Sequence, residues 1–336
     1  MTPRATSAAR VPARAVLLMV GTVALFAVSD ALAKYVSTGS SLVLLVWSRY
    51  LFQTLFMVVF LVRYRPRELV RTRRPWLQTW RSLVSVGSNY AFIFALPYIP
   101  LADAVAVGLA SPLMVTALSV PLLGERVGVR RWSAVVVGFA GAMIVLRPGL
   151  GIVHWSALFV LVAAALYALY QIGTRILAPI DSPVATLFYT GAIGLVATSV
   201  PVPFAWVDLP TLIWVILAAQ GLASGLSHFL LIKAFALAPV STLAPFSYTE
   251  IVSAALLGYL MFGDVPDQWT VLGSTVIVGS GLYVMYRAGA AARALPRAAP
   301  GTRWAGVVSK ARGWPWSRSR RRTIGRGPGD DHRQGH

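Results

Sequence analysis

Apolar residues along this chain gather into long runs separated by short polar links. Ten runs stand out, near 15–36, 42–62, 77–97, 101–123, 132–147, 155–177, 184–204, 211–235, 239–262 and 269–286. Most approach 20 residues, and a helix rising 1.5 Å per residue needs about 20 to cross a hydrocarbon core about 30 Å thick. A strand crossing the same layer needs about 10 residues that alternate apolar with polar, and these runs do not alternate. The links carry turn residues: Thr38-Gly39-Ser40-Ser41, Arg147-Pro148-Gly149, Asp181-Ser182-Pro183 and Gly263-Asp264-Val265-Pro266. Backbone polar groups in lipid must bond within their own helix or a closed barrel. The pattern therefore predicts an all-α membrane protein with ten transmembrane helices.

Composition agrees with that reading. Of 336 residues, 57% are hydrophobic and 12% charged, against about 25% charged in a soluble domain. This excludes a water-soluble enzyme, a secreted disulfide scaffold and a disordered regulator. The net charge of +19 does not point to nucleic acid, because residues 288–336 hold 11 of the 30 Lys and Arg, and most others lie in short loops. A basic tail beside a bilayer suits anionic lipid. Alternate loops carry the arginines: Arg4, Arg10 and Arg14, then Arg63 to Arg74, then Arg126, Arg130 and Arg131, then Arg175 and the tail. The loops between them are nearly free of Lys and Arg. With ten spans, this bias places both termini in the cytoplasm of a cell inner membrane. The run 15–36 is longer than a signal-peptide core and holds Asp30 and Lys34, so it reads as a span rather than a cleaved leader. The chain has no cysteine, and His154, His228, His332 and His336 are scattered without metal-ligand spacing. Neither a metal nor another cofactor is expected.

An internal repeat organises the runs. A shift of 139 residues sets Pro100 on Pro239, Ser88-Asn89 on Ser227-His228 and Gly124-Glu125 on Gly263-Asp264; Trp132 and Trp269 match after a two-residue adjustment. Runs one to five and six to ten thus look like two copies of a five-helix unit. An odd number of spans per copy inserts the copies in opposite orientations, the inverted-repeat device of transporters. The expected division is a cytoplasmic N-terminus (1–14), a first repeat (15–147), a second repeat (148–287) and a basic, disordered cytoplasmic tail (288–336).

Two stretches carry a family likeness. Pro100-Leu-Ala-Asp-Ala, Pro112, Leu123-Gly124-Glu125-Arg126 and Arg131-Trp132 resemble the first repeat of EamA-type transporters of the drug/metabolite transporter superfamily. Lys233-Ala-Phe, Ala238-Pro239-Val-Ser-Thr, Gly263-Asp264 and Gly281 resemble the second. The likeness covers roughly 15–287; Asp264 stands where the family's second repeat typically has Glu. The resemblance implies a secondary transporter whose helices 3, 4, 8 and 9, with 1 and 6, line a cavity. Similar members are described as carrying amino acids, nucleosides, riboflavin, S-adenosylmethionine or organic cations, in either direction. A membrane channel is the alternative, distinguished by unsaturated flux. An intramembrane hydrolase is disfavoured, since Ser227 and His228 are adjacent on one helix and point about 100° apart.

Charge within a span is costly and marks function or a partner. Glu250 lies mid-run, as a proton-coupling carboxylate, as counter-ion to a cationic substrate, or paired with Lys233 or His228. His228 and Asn89 share one repeat position near the midplane, where each either meets substrate or bonds its helix backbone. Asp30 and Lys34, four apart, share a helix face and either neutralise each other or leave Asp30 for Arg49, a candidate gate or anion contact. Tyr167, Tyr170 and Gln171 form a polar-aromatic patch, which Tyr90 and Tyr248 join if they face inward. Such a wall suits flat or cationic ligands; the alternative is an interfacial aromatic belt, which fits Tyr170 better than Tyr167. Small-residue rows, Gly221 with Gly225 and Gly138 with Gly141, allow close helix approach within the chain or between copies of a homodimer. The predicted partners are thus a small-molecule substrate, H+ and anionic lipid.

Overall fold

The computed structural model describes residues 12–62, 70–124, 127–147, 158–237 and 243–294, and among them every regular element is helical. The helices are α1 (Ala13–Ser37), α2 (Leu42–Val62), α3 (Pro75–Ala95), α4 (Leu101–Gly108), α5 (Ser111–Leu123), α6 (Val129–Leu146), α7 (Leu158–Leu177), α8 (Pro183–Ser199), α9 (Thr211–Leu237), α10 (Glu250–Phe262) and α11 (Gln268–Ala294). Three short 3₁₀ turns, among them Ala244–Thr249 before α10, complete the set. Local chemistry sets several boundaries. Proline opens α3 and α8, where a missing N–H costs nothing. Ser182 caps α8 by accepting the Ala185 N–H at 3.1 Å. Gly124 and Gly263 end α5 and α10 in the left-handed conformation, at φ 65° and 72°, which glycine adopts without steric cost.

Eight helical stretches among the described residues are long and apolar enough to cross a membrane, against ten expected. Helix α3 carries Gln78, Arg81 and a row of serines, which lower its hydropathy. Of the ninth run, the described part is six residues of 3₁₀ turn followed by the 13 of α10. The fourth run is also divided, between α4 and α5, with Pro112 in the first turn of α5. Under the 139-residue shift the second pieces coincide from end to end, Ser111–Leu123 on Glu250–Phe262. The starts of the following helices, Val129 and Gln268, lie the same distance apart.

Packing sorts eight of the helices into two groups. In one, α1 lies along α9 and α10, and α9 along α2. In the other, α7 lies along α3 and α5, and α3 along α8. Exchanging α1 with α7, α2 with α8, α3 with α9 and α5 with α10 turns each set of pairings into the other, and maps the α2–α8 contact onto itself. Each group therefore mixes helices from both halves of the sequence.

Apolar burial alone does not choose such pairings inside lipid, where tails are as apolar as leucine; close packing and polar ties do. Helix α9 meets α2 through Gly221, where a Cβ would stand 3.1 Å from the Arg49 carbonyl oxygen, and through Gly225 against Phe56. Helix α6 meets α11 where Gly141 faces the Gly273 carbonyl oxygen. The second group is stitched by Arg81. This fully buried side chain of α3 donates to Thr174 Oγ1 of α7 at 3.0 Å, and to Thr186 O and Thr190 Oγ1 of α8 at 2.6 Å each. It also donates to Gln78, whose amide in turn donates to Asp181 at 2.9 Å. Asp181, in the link between α7 and α8, accepts from Thr72 and the Arg73 N–H as well. Burial works to raise the Asp181 carboxyl, but the hydrogen bonds from Thr72, Arg73 and Gln78 outweigh it and hold the group below the ordinary carboxylate value.

Two predictions follow from this packing. Gly221→Leu overpacks the α9–α2 crossing and lowers stability by about 1–3 kcal/mol, whereas Gly279→Ala, with nothing within 4 Å of the added Cβ, leaves it unchanged or slightly raised; melting in detergent reads both. Because the folded Asp181 carboxyl is depressed, its stabilisation is fully present above the unfolded value of about 4 and is lost as pH falls through the folded one. Wild type therefore loses stability more steeply than Asp181→Asn below about pH 4, as measured by unfolding across pH.

Candidate functional site

Glu250 is the first residue of α10, where the preceding 3₁₀ turn gives way to α-helix. A carboxylate at that position faces the positive end of the helix dipole. Among the described residues no hydrogen bond or ion pair engages it. The charges that act on it are Asp30 and Arg49, and those two pair with each other: Arg49 Nη1 of α2 donates to Asp30 Oδ1 of α1 at 3.2 Å. Both side chains are only about one-tenth exposed. Helices α1, α2 and α10 thus bring two carboxylates and one guanidinium to one place.

The facing wall comes from the other helix group. Tyr167 and Tyr170 of α7 stack, with ring centroids 5.5 Å apart and planes 19° from parallel. Tyr167 lies on the face of α7 that carries the buried Val160, Ala163 and Ala164, and Glu250, Arg49 and Asp30 act on it electrostatically. It nevertheless remains 41% exposed. The Arg81 guanidinium lies 4.7 Å from the Tyr170 ring centre. Gln171 of α7 donates to Ser111 Oγ at 3.4 Å, tying α7 to the start of α5.

Asn89 and His228, matched by the repeat, make matched bonds. Asn89 Nδ2 donates to its own helix at Ser85 O, 2.9 Å away, and His228 Nδ1 meets Ser224 O at 2.7 Å. Asn89 also donates to the Tyr50 hydroxyl of α2 at 3.0 Å, a contact between the two groups. The His228 ring meets Phe26 of α1 edge-on at 4.9 Å, and Arg49 and Arg81 both act on it electrostatically. Two tyrosines stand apart from the stacked pair. Tyr248 is buried with its hydroxyl against Gly281 of α11. Tyr90 packs against the main apolar core, its hydroxyl buried without a partner.

Lys34 does not pair with Asp30. Asp30 turns to α2, and the longer lysine stem reaches past it to Asp264 Oδ2 at 2.7 Å and Ile99 O at 2.8 Å, with Nζ 4.8 Å from the Phe262 ring centre. Beside this lies a second polar knot. Arg147, left-handed at φ 43°, pairs with Asp267 at 2.6 Å, and Thr270 donates to both Asp103 and Asp267. Burial raises the Asp267 carboxyl slightly, but the bonds from Thr270 and Arg147 prevail and lower it. Lys233 is exposed, with Nζ 5.4 Å from the Phe229 ring centre, so it reaches outward instead of meeting Glu250. His154, Trp155, Glu125, Arg126 and the tail beyond residue 294 lie outside the described residues.

Arg81 is the residue that sequence reasoning passed over. Its signal was present: Gln78, Arg81, Ser82, Ser85, Ser88 and Asn89 recur at three- and four-residue spacing along one face of α3, a polar stripe inside an apolar run. No group of His, Cys, Asp or Glu able to hold a metal ion occurs among the described residues.

Known proteins resemble this chain in sequence. An S-adenosylmethionine uptake transporter of Rickettsia prowazekii is 28% identical over 77% of this chain and 88% of its own length. A riboflavin transporter of Vibrio cholerae is 30% identical over the same shares. A pseudopaline exporter of Pseudomonas aeruginosa is 30% identical over 75% of this chain and 89% of its own. One crystal structure superposes with a TM-score of 0.59 at 20% identity, covering 84% of this chain and 99% of that one, a likeness of fold alone. The model of the EamA-like transporter family matches twice, over residues 13–147 and 154–287. The chain therefore belongs to the EamA-like transporter family, within the drug/metabolite transporter superfamily, and is a multi-pass membrane transport protein, not an enzyme.

Proposed function

We propose that this chain is a secondary transporter that moves a small polar or amphipathic metabolite across the inner membrane by alternating access. The reading takes ten spans, arranged as two inverted five-helix repeats over 15–147 and 148–287, with both termini in the cytoplasm and the basic tail against anionic lipid. The observation that carries it is the exchange of helix pairings between the two groups. Two equivalent halves give two equivalent ways of opening, one to each side. The relatives' names favour a nitrogenous metabolite but differ in direction, so uptake and export are both served by this architecture.

In this mechanism the substrate sits between the α1–α2–α9–α10 group and the α3–α5–α7–α8 group. Glu250 serves either as the counter-ion of a substrate cation or as the coupling carboxylate that takes H+ from one side and releases it to the other. The Asp30–Arg49 pair keeps Arg49 charged beside it at low cost, since a paired ion tolerates burial far better than a lone one. Tyr50 supports the reading of α2–α8 as the line about which the groups rock. Its ring lies against Gly194 of α8 and its hydroxyl accepts from Asn89 of α3. Lys34 bridges the groups at the external end, bonded to Asp264 on one side and to the Ile99 carbonyl on the other, and acts as the latch of the outward gate.

Counterflow in proteoliposomes tests the proposal. Internal substrate accelerates saturable uptake of labelled substrate if the protein is a carrier; flux that never saturates and shows no trans-stimulation overturns it. Glu250→Gln abolishes accumulation driven by a pH gradient while exchange persists, and unchanged pH dependence removes the coupling role. Lys34→Gln loosens the latch. The chain has no native cysteine, so a single cysteine at Ser111 reports the change: an impermeant maleimide added outside labels it severalfold faster in the Lys34→Gln background, and an equal rate refutes the latch.

A further inference from the structure

Arg81, Tyr170 and Tyr167 form a ladder of flat groups. The guanidinium is the fixed end, immobilised by its bonds to Thr174, Thr186 and Thr190. The Tyr170 ring lies in the middle, 4.7 Å from Arg81 and 5.5 Å from Tyr167. Tyr167 is the other end, and among the described residues Tyr170 is the only ring against it. A tyrosine 41% exposed on an outer surface needs no explanation. This one shares its helix face with the buried Val160, Ala163 and Ala164, and with Gln171 and Thr174, which bond Ser111 and Arg81, so its open area faces the interior of the bundle.

We propose that Tyr167 is the open rung of this stack and receives a planar heteroaromatic ring of the transported substrate, with Glu250 accepting a hydrogen bond or positive charge from the ring's edge. The inference rests on the reading of the central space as the transport site and names the substrate class it takes. Two alternatives for the Tyr167 face are weaker. A bare ammonium or sulfonium would be attracted by the ring's π-face, but Arg81 lies behind that π-system and Arg49 acts on it too, and both repel a second cation. An alkyl chain would forgo the unpartnered carboxylate of Glu250. A neutral ring with N–H groups at its rim uses both features: its face stacks on Tyr167 and its edge meets Glu250. Removing the aromatic partner of a stacked base weakens binding about tenfold or more in other proteins. Arg81 acts through Tyr170 and is a positioning residue.

Binding to the purified full-length protein in detergent provides the test, with riboflavin and S-adenosylmethionine as ring-bearing probes and ribitol and methionine as their ring-free counterparts. Stacking on a tyrosine quenches flavin fluorescence, a signature that a structural role for Tyr167 would not produce. Wild type and Tyr167→Phe bind at least one ring-bearing probe, and Tyr167→Leu binds it at least tenfold more weakly while eluting from a sizing column as wild type does. Preference for riboflavin identifies a flavin-sized ring and preference for S-adenosylmethionine a purine; both support the class. Equal affinity of Tyr167→Leu and wild type overturns the proposal, as does tighter binding of methionine or ribitol than of the ring-bearing probes. So does binding of neither ring-bearing probe by wild type. Saturable counterflow of a ring-free substrate would then leave the transport reading standing without this inference. Ring binding without counterflow would reject transport and leave the ring site standing.

Discussion

Charge placed within hydrocarbon must find a partner inside the protein, and in this molecule the partners lie on other helices. The cost of an isolated charge at mid-bilayer is several kcal/mol even on the most lenient scales. Asp30 and Arg49 fix how α1 sits beside α2, Arg81 gathers α3, α7 and α8, and Lys34 joins the end of α1 to the link after α10 and to the Ile99 carbonyl. Where lipid supplies no hydrophobic drive between helices, such ties do much of the selecting among helix pairings, and small residues allow the approach that makes the ties reachable. Gly221 and Gly225 bring α9 onto α2 in this way.

Against that background Glu250 is the exception. Its carboxylate has no bonded partner among the described residues, although Arg49, paired with Asp30, acts on it. An unpartnered acid among paired charges is what the proposed role in substrate or proton binding requires. The break before α10 contributes, since the start of a helix offers a favourable dipole to a negative group without neutralising it. The corresponding break in the first half places Ser111 at the matched position, bonded to Gln171. The two halves share backbone geometry there, and the chemistry is concentrated in the second.

The helix groups are joined along α2 and α8. There Tyr50 lies against Gly194 and Thr54 against Gly191, and Trp47 donates to Ser199 Oγ at 2.8 Å. Tyr50 also accepts from Asn89, and Lys34 at the end of α1 reaches the Ile99 carbonyl. Polar bonds of this kind can be exchanged without exposing an apolar core, which fits the rocking proposed for the groups. Asn89 and His228 illustrate how a shared position diverges. Both bond the carbonyl four residues back on their own helix, which relieves most of the cost of burying them. Their remaining faces differ, one toward a tyrosine hydroxyl and the other toward a phenylalanine edge.

Hydropathy and loop chemistry alone determined that the chain is helical and membrane-embedded. Run length and turn residues report directly on backbone satisfaction in lipid, a local requirement. The 139-residue offset was also legible, because caps and turns depend on nearby prolines and glycines, whereas the breaks that start α5 at Ser111 and α10 at Glu250 were not, both runs reading as unbroken. Partners were not legible. Asp30 and Lys34 share a helix face in the sequence, yet one turns to α2 and the other reaches Asp264, 230 residues away. Arg81 drew no notice in the sequence, and only the closing of α3, α7 and α8 around it gave it partners. Tyr248 and Tyr167 are equally aromatic in the sequence, but only packing sent one against Gly281 and left the other open beside Glu250. Helix formation is decided within a turn or two of chain, whereas the neighbour that pairs a charge or covers a ring is decided by which helices the whole bundle brings side by side.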